Sequence, residues 1–233
     1  MLQEFLSAKP LYYDKIDYTR MPRIYKRVKP YLPKPKIIHL IGTNGKGTTG
    51  RFLAAALHSL GFKVGHYTSP HILKFNERVW LNGRDASDST LENAHKELLR
   101  ILTPSEADAL SYFEYTTLLS MLVYKECEYV VMEAGLGGEH DATAVFDKLL
   151  TLVTPIAYDH EAFLGNSIKE IATTKLNAIQ KSAILATQKE MEVYVVAELL
   201  SASKSLNIKR ISEMLDAEDE LKIIEITKKL KLA

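Results

Sequence analysis

The chain of 233 residues is 46% hydrophobic and 25% charged, a balance that excludes wholesale disorder and allows a sizeable core without disulfides. Its 30 Lys and Arg against 29 Asp and Glu leave a net charge of +1, which argues against a protein built mainly to bind nucleic acid. The single cysteine, Cys127, excludes an intramolecular disulfide and a multi-cysteine metal site, and we expect it to pack in the core. We recognise no signal peptide and no apolar run of membrane-spanning length, and therefore expect a cytoplasmic protein without a membrane partner.

The N-terminal part of the chain predicts a helix followed by a linker. Apolar side chains follow helical spacing at Met21, Ile24, Tyr25 and Val28. Three prolines within residues 28–36 then exclude a continuing helix. We therefore predict that residues 1–35 form a helical arm and linker ahead of the main domain.

From residue 36 onward, buried strands alternate with helices. Apolar runs predict strands at 37–41, 63–67, 129–132, 149–153, 182–186 and 207–211. Helical spacing predicts helices at 48–60, 88–102, 112–126, 168–180 and 189–204. The dipeptide Asn82-Gly83 predicts a hairpin turn. This alternation is typical of an α/β domain, here residues 36–211, with a mostly parallel sheet and helices on both faces. Residues 212–233 are predicted as a tail or the start of an interdomain linker.

The segment from Gly42 to Thr49, GTNGKGTT, has the context of a phosphate loop because it directly follows a predicted strand and precedes a helix. Its glycines allow backbone N–H groups to converge on an anion, and Lys46 would reach the β- and γ-phosphates of a nucleotide. A threonine hydroxyl would complete the shell of Mg²⁺. We predict nucleotide contacts from Thr43, Asn44, Gly45, Lys46, Gly47, Thr48 and Thr49. The spacing differs from the ordinary GxxxxGK[ST], since Gly47 separates the lysine from the threonine.

Two further residues are candidates for metal binding. Glu133 follows a buried strand, where a carboxylate can hold Mg²⁺ beside phosphates, or alternatively cap the next loop. His160 forms an Asp-His pair with Asp159, although a lone histidine is more often a packed or surface residue. Imidazole is an unusual ligand for magnesium, so chemistry alone does not assign His160 to it.

The phosphate loop, HLIGTNGKGTTG, resembles the ATP loop of the Mur ligase superfamily, and most closely that of the folylpolyglutamate synthase and dihydrofolate synthase family. Four other stretches agree in the family's order, namely TSPHILKFNERVWLNG at 68–83, YFEYTT at 112–117, VMEAGLGGEHDAT at 131–143 and YDHEAFLG at 158–165. The resemblance extends from about residue 18 to about residue 205. It implies a Mur-ligase-type ATP-binding domain with the P-loop NTPase fold.

The same resemblance implies a set of site residues. Thr48, Ser69 and Glu133 would be ligands of magnesium, and His160 a ligand of a second magnesium ion. The family carries a carbamylated lysine after its Asp-His motif, and Lys175 stands at that position, with a surface lysine as the alternative. We assign catalytic roles to Lys46, Glu133 and His160.

The sequence departs from the family pattern at several places. Ala144 replaces the asparagine of the family's Asp-Ala-Thr-Asn motif, and the neighbours of Lys175 differ. Family members also have a second α/β domain that helps to bind glutamate, and the chain ends at Ala233, about where the linker to it would start. We therefore expect this domain to be absent, in a truncated or a natural short form. Alone, the chain should bind ATP and Mg²⁺ but ligate poorly.

The resemblance implies an ATP-dependent ligase of folate biosynthesis and one-carbon metabolism. It would join L-glutamate to dihydropteroate or to a folate through an acyl phosphate. Met21, Arg23 and Ile24 and the 68–83 loop are places where the pterin would make contact. We expect a monomer, although the sequence does not determine the oligomeric state or the preferred acceptor.

Three other functions remain open at this point. The first is another Mur-type ligase, and the second is a non-catalytic ATP-binding module that needs a partner domain. The third is a GTPase, because residues 174–177, TKLN, faintly resemble a guanine-binding motif. The spacing around Lys46 disfavours the GTPase.

Overall fold

The computed structural model describes residues 1–10, 17–159 and 161–214. Within these residues eight strands form one sheet, in the order β4-β3-β2-β5-β1-β6-β7-β8. The strands are β1 (Lys36–Ile41), β2 (Val64–Tyr67), β3 (Val79–Leu81), β4 (Arg84–Asp85), β5 (Tyr129–Glu133), β6 (Leu150–Val153), β7 (Ser182–Leu185) and β8 (Asn207–Arg210). The strand pairs β2–β5, β5–β1, β1–β6, β6–β7 and β7–β8 are parallel, whereas β3 and β4 form an antiparallel edge beside β2. The mostly parallel α/β sheet predicted from the sequence is confirmed.

The predicted hairpin turn lies between β3 and β4. Asn82 and Gly83 both have positive φ angles, of 46° and 97°. Asparagine and glycine are the residues that tolerate this conformation best, which is why the dipeptide indicates a hairpin.

The described helices are α1 (Leu2–Ser7), α2 (Arg20–Val28), α3 (Lys46–Ser59), α4 (Asp88–Ile101), α5 (Pro104–Ala109), α6 (Tyr112–Val123), α7 (Glu161–Leu164), α8 (Ile168–Leu176) and α9 (Met191–Lys204). Every predicted helix is present, but two end early: α6 at Val123 rather than 126, and α8 at Leu176 rather than 180. Three short helices, α1, α5 and α7, were not predicted.

The helices cover both faces of the sheet. Successive residues of β5 demonstrate this, since Val130 and Met132 pack in one apolar cluster while Val131 packs in another. The first cluster includes side chains of α4 and α6, and the second includes Ala54 of α3. Alternate side chains of a strand point to opposite faces, so a strand covered on both sides is apolar throughout.

The N-terminal arm packs into the first of these clusters. Leu6 of α1 and Met21 of α2 are buried in the same core as α4 and α6. A buried ion pair also joins the arm to α6, with Arg20 Nη2 2.8 Å from Glu114 Oε2. The boundary at residue 35 stays a prediction, but the arm shares its core with the sheet.

Candidate active site

The phosphate loop connects β1 to α3 at the carboxyl edge of the sheet. Gly42 and Gly45 have φ angles of 137° and 83°, conformations in which glycine is strongly favoured. A Cβ atom on Gly42 would lie 2.1 Å from Thr154 Oγ1, so the loop also approaches the end of β6 too closely for any side chain. The loop is therefore held tightly against its neighbouring strand.

The N–H groups of the loop fall into two sets. Those of Thr43 and Asn44 donate to the carbonyl oxygen of Pro155, at 2.9 and 3.2 Å. Helix α3 begins at Lys46, and its first internal bond runs from the N–H of Thr49 to Gly45 O. Because the first four N–H groups of a helix have no acceptor within it, the first turn of α3 can bind an anion.

The side chain of Lys46 folds back onto the phosphate loop. Its Nζ donates to Gly42 O at 3.1 Å and to Thr43 O at 3.3 Å. It also lies 3.9 Å from Glu133 Oε1, so that a cation and a carboxylate face each other beside the helix terminus. Of the other predicted nucleotide residues of α3, Thr48 and Thr49 are exposed on its first turn, and Gly47 is half-buried.

Glu133 is the last residue of β5, next to β1 in the sheet. Its side chain is buried, and burial raises the pKa of the carboxyl group against the opposing effects of Thr68, Lys46 and Ser69. A Cβ atom on Gly47 would lie 3.5 Å from Glu133 Oε2, which means that α3 begins directly beside this carboxylate. The sequence prediction that Glu133 and the phosphate loop meet agrees with this geometry.

The contacts of Glu133 with the 68–83 loop involve a residue that sequence reasoning missed. The Thr68 hydroxyl donates to Glu133 Oε2, whereas Ser69 contributes its backbone N–H at 3.3 Å. The Ser-Pro-His motif indicates Ser69 but not its neighbour Thr68. The signal was available, since Thr68 is a hydroxyl residue directly after a buried strand.

Lys175 reaches the phosphate loop from α8. It is buried, and its Nζ donates to Gly42 O at 3.1 Å. Burial and, next, the charge of Lys46 lower the pKa of Lys175 to about 8. The surface alternative for this lysine is therefore wrong.

The glycine-rich segment after β5 helps to position Lys175. A Cβ atom on Gly138 would lie 2.5 Å from the carbonyl oxygen of Lys175. Glycine at this position thus permits close packing of the 135–138 loop against α8. This close approach is to protein backbone.

The arrangement fits magnesium in the kind of donor that it offers. His160 lies outside the described residues, so its predicted role stays a prediction. Within the described residues His, Cys, Asp and Glu side chains form no group of three or more suited to a metal ion. Magnesium, however, is usually held by one or two carboxylates together with hydroxyls, water and substrate phosphates. The buried Glu133 carboxylate, with the Thr68 hydroxyl bonded to it and the first turn of α3 beside it, offers oxygen donors of this kind.

A cavity of about 210 Å³ lies between the N-terminal arm and the loop that follows β5. Tyr18, Tyr25 and His140 line it with aromatic rings, and Asp141 lies at its wall. The rings of Tyr18 and His140 lie 4.6 Å apart. The arm faces this cavity through Tyr18 and Tyr25, whereas the side chains of Met21 and Ile24 are buried in the core.

Asp141 anchors the wall of this cavity. Its carboxylate accepts hydrogen bonds from the N–H groups of Leu136 and Thr143, at 2.8 and 2.9 Å, and from the Thr143 hydroxyl. Thr143 in turn lies 2.7 Å from His39 Nε2 on β1. This chain of contacts connects the loop to the central strand.

Comparisons with known proteins agree with the motifs. No protein-family model matches the sequence. A dihydrofolate synthase/folylpolyglutamate synthase of Bacillus subtilis is 37% identical over 174 residues, covering 72% of this chain and 40% of that protein. One of Haemophilus influenzae is 36% identical over 186 residues, covering 78% of this chain and 42% of that protein. None of the helices in the described part of the chain has the length and apolar character needed to span a membrane.

Solved structures show the same likeness. A folylpolyglutamate synthetase of Helicobacter pylori is 42% identical with a TM-score of 0.81, covering 90% of this chain and 52% of that one. Escherichia coli FolC in complex with DHPP and ADP is 31% identical with a TM-score of 0.76, covering 90% and 50%. An FPGS complex with AMPPCP and folate is 26% identical with a TM-score of 0.80, covering 89% and 52%.

The chain thus spans about half the length of the proteins that it matches. In sequence and in fold it is a relative of the folylpolyglutamate and dihydrofolate synthases of the Mur ligase superfamily, and the resemblance inferred from its motifs is confirmed.

Proposed function

We propose that the chain provides the ATP-binding part of a ligase that joins L-glutamate to dihydropteroate or to a folate. The observation that carries the proposal is the approach of Lys46 Nζ to within 3.9 Å of the buried Glu133 carboxylate, beside the first turn of α3. This places a cation, a carboxylate and a helix N-terminus at the ends of two adjacent strands. Ligands of open parallel sheets bind at this edge.

In this proposal ATP donates its γ-phosphoryl group to the acceptor carboxylate, and an acyl phosphate results. The amine of L-glutamate then attacks the acyl carbon, the amide bond forms, and phosphate leaves. Phosphoryl transfer depends mainly on positioning and on stabilisation of charge. Lys46 and the N–H groups of the first turn of α3 can supply both, with Thr43, Asn44 and Gly45 shaping the loop.

Magnesium would be held by Thr48, Ser69 and Glu133, with His160 proposed for a second ion. The bound metal neutralises charge on the transferring phosphoryl group. The hydroxyl of Thr68 orients the Glu133 carboxylate, and burial keeps that carboxylate away from competing water. If Lys175 reacts with CO₂ it becomes an oxygen-donating carbamate and releases a proton, and its pKa of about 8 favours the neutral amine that this reaction requires.

The cavity between the arm and the 139–145 loop is proposed as the acceptor site. A pterin is a flat aromatic ring system, and Tyr18, Tyr25 and His140 present aromatic surface on which such a ring can stack. Solved relatives carry folate or DHPP, which supports an acceptor of this class.

The alternatives are less well supported. The relatives are folate enzymes rather than other Mur-type ligases. Solved neighbours carry ADP or AMPPCP, which supports an adenine nucleotide over a guanine nucleotide. We propose a cytoplasmic monomer.

Calorimetry on the chain loaded with Mg²⁺ and AMPPCP tests the proposal. Dihydropteroate should bind, and Tyr18→Ala should weaken its binding by about fivefold, roughly 1 kcal/mol for the loss of one aromatic contact. Tyr31→Ala serves as the matched control, since Tyr31 is exposed and lies outside the cavity lining. Failure of both dihydropteroate and dihydrofolate to bind would contradict the proposed function.

A further inference from the structure

A larger cavity, of about 440 Å³, lies against the first half of α3. Gly47, Thr48 and Thr68 line the end of it that adjoins the phosphate loop. Arg51 and His66 line it farther along the helix. The cavity therefore begins at the proposed phosphate and metal site and extends away from it.

His66, on β2, has an unused hydrogen-bonding group. The side chain is fully buried, and its Nδ1 accepts a hydrogen bond of 3.2 Å from Arg51 Nε. Because a guanidinium can only donate, Nδ1 carries no proton and Nε2 carries the single proton of the neutral ring. Among the described residues Nε2 has no hydrogen-bond partner.

A buried N–H without an acceptor is rare in folded proteins and is usually satisfied by water or by a ligand. His66 lines the cavity, but its Nε2 is buried and lies against Gly50 of α3, where a Cβ atom would come within 2.6 Å of it. The contribution of His66 to the cavity is therefore the hydrogen bond that holds Arg51 in place.

Arg51 supplies a positive charge beside this group. Its guanidinium lies over the ring of Trp80, 5.4 Å from the ring centroid, which holds the side chain in place. Within the described part of the chain its terminal nitrogens make only long contacts, 3.4 Å to Glu77 O and 3.8 Å to Asp85 Oδ1. The Arg51 and Asp85 side chains are both substantially exposed at this contact, so water screens the pair and a better placed carboxylate can replace it. The guanidinium fork matches the two oxygens of such a carboxylate.

We infer that this cavity binds the α-carboxylate of the glutamate unit at the end of a folate acceptor, through Arg51, which His66 and Trp80 hold in place. The inference rests on the proposed function and deepens it. Arg51 lies one helical turn beyond Gly47, about 6 Å at 1.5 Å per residue. That separation is comparable with the length of the side chain between the two carboxylates of glutamate. The γ-carboxylate would then lie near the phosphate loop, where it is to be phosphorylated.

The two acceptors distinguish this site from the pterin cavity. Dihydrofolate carries a glutamate unit, and dihydropteroate lacks one. Interaction with Arg51 should therefore favour dihydrofolate alone, and would make Arg51 a specificity-determining residue for glutamylated acceptors.

The test is calorimetry of both acceptors on the chain loaded with Mg²⁺ and AMPPCP. Arg51→Met should weaken the binding of dihydrofolate about tenfold, the effect of losing a hydrogen bond to a charged group. The affinity for dihydropteroate should stay within about twofold of that of wild type. Arg51→Lys keeps the charge, and its affinity for dihydrofolate should lie between those of wild type and Arg51→Met. Arg100→Met, at an exposed arginine of α4, is the matched control. Unchanged AMPPCP affinity shows that each variant is folded.

Equal loss of both acceptors in Arg51→Met, or no loss of either, overturns the inference while leaving the proposed function intact. Absence of binding by both acceptors to the wild-type chain overturns the proposed function and the inference with it. The other ligand that supplies a carboxylate is L-glutamate, the incoming amino acid, and its binding is measured separately. Trp80 is the sole tryptophan of the chain, so its fluorescence reports on Arg51. A fluorescence titration by L-glutamate that Arg51→Met abolishes, with dihydrofolate unaffected, assigns the site to the incoming amino acid and overturns the acceptor assignment.

Discussion

Lys46 and Lys175 donate to the same atom, the carbonyl oxygen of Gly42, each at 3.1 Å. One lysine lies in the phosphate loop itself, and the other reaches it from α8, more than a hundred residues later in the chain. Two cations this close repel each other, and Lys175 is the more deeply buried. Its pKa is accordingly lowered to about 8.

The first prediction concerns the pH dependence of stability. Lys175 has a folded pKa of about 8 against an ordinary value of 10.5. Between these values the unfolded chain binds a proton that the folded chain does not, so the free energy of unfolding rises with pH across that window. The rise due to this group is about 3 kcal/mol, at 1.4 kcal/mol per pKa unit.

Lys175→Met should lack this rise, because it removes the titrating group. Urea unfolding in CO₂-free buffer from pH 7 to 11 measures the difference between variant and wild type. Lys169→Met, at an exposed lysine of the same helix, should keep the rise. A constant difference between Lys175→Met and wild type over the whole range would show that the folded pKa is not lowered.

The second prediction concerns the buried carboxylate. Glu133→Gln keeps the shape of the side chain and the contact with Thr68 but removes the charge that attracts a cation. We expect magnesium to strengthen AMPPCP binding in wild type and to have at least about tenfold less effect in the variant, since a charged ligand is worth roughly 1.5–3 kcal/mol. Glu126→Gln, at an exposed glutamate, is the control.

The same variant also changes stability in a defined direction. Because burial raises the pKa of Glu133 above its ordinary value of 4.5, the folded chain holds the proton more tightly than the unfolded chain. The contribution of Glu133 to the free energy of unfolding therefore falls as the pH rises from the ordinary pKa to the raised pKa of the folded chain. Without metal at pH 7, Glu133→Gln should be at least as stable as wild type in urea. A clear loss of stability would mean that the charge is compensated by the protein alone.

The third prediction separates the two glycines of the phosphate loop. Gly42→Ala should lose about 3–5 kcal/mol of unfolding free energy, because its Cβ would collide with Thr154 and its φ of 137° is strained. Gly45→Ala should lose only about 1–2 kcal/mol, since no atom lies within 4 Å of a Cβ there and only the left-handed backbone opposes the change. Chemical denaturation measures both, and similar losses would contradict the packing argument at Gly42.

The fourth prediction concerns Cys127. The thiol is buried, and burial raises its pKa to about 12, so almost no reactive thiolate exists at neutral pH. A thiol reagent such as DTNB should react slowly with the native chain and rapidly after unfolding in urea. Fast reaction of the native chain would show that this residue is accessible and would contradict its predicted place in the core.

The sheet was largely predictable because its strands are apolar on both faces, and the phosphate loop because a strand and a helix enclose its glycines. The short helices were missed for lack of periodicity, although Thr103 and Pro104 were a usable start signal for α5. The apolar spacing that predicted α2 also misled us about its function. Met21 and Ile24 form the face that a helix buries, so they pack in the core and leave Tyr18 and Tyr25 at the cavity.

Other features depend on packing between distant segments and were beyond sequence reasoning. The burial of Lys175 follows from the contact of α8 with the glycine loop after β5. The pairing of Arg51 with His66 requires α3 to lie over β2. Neither contact is expressed in local spacing, so the sequence alone singles out neither Arg51 nor His66.

The central claim is that Lys46 and its loop bind the phosphates of ATP with magnesium. Calorimetry with ATP and with GTP, in the presence of Mg²⁺, on the wild-type chain and on Lys46→Ala tests it most directly. We expect magnesium-dependent binding of ATP in preference to GTP, and its loss in the variant. No ATP binding by wild type, or equal binding by Lys46→Ala, would contradict the account.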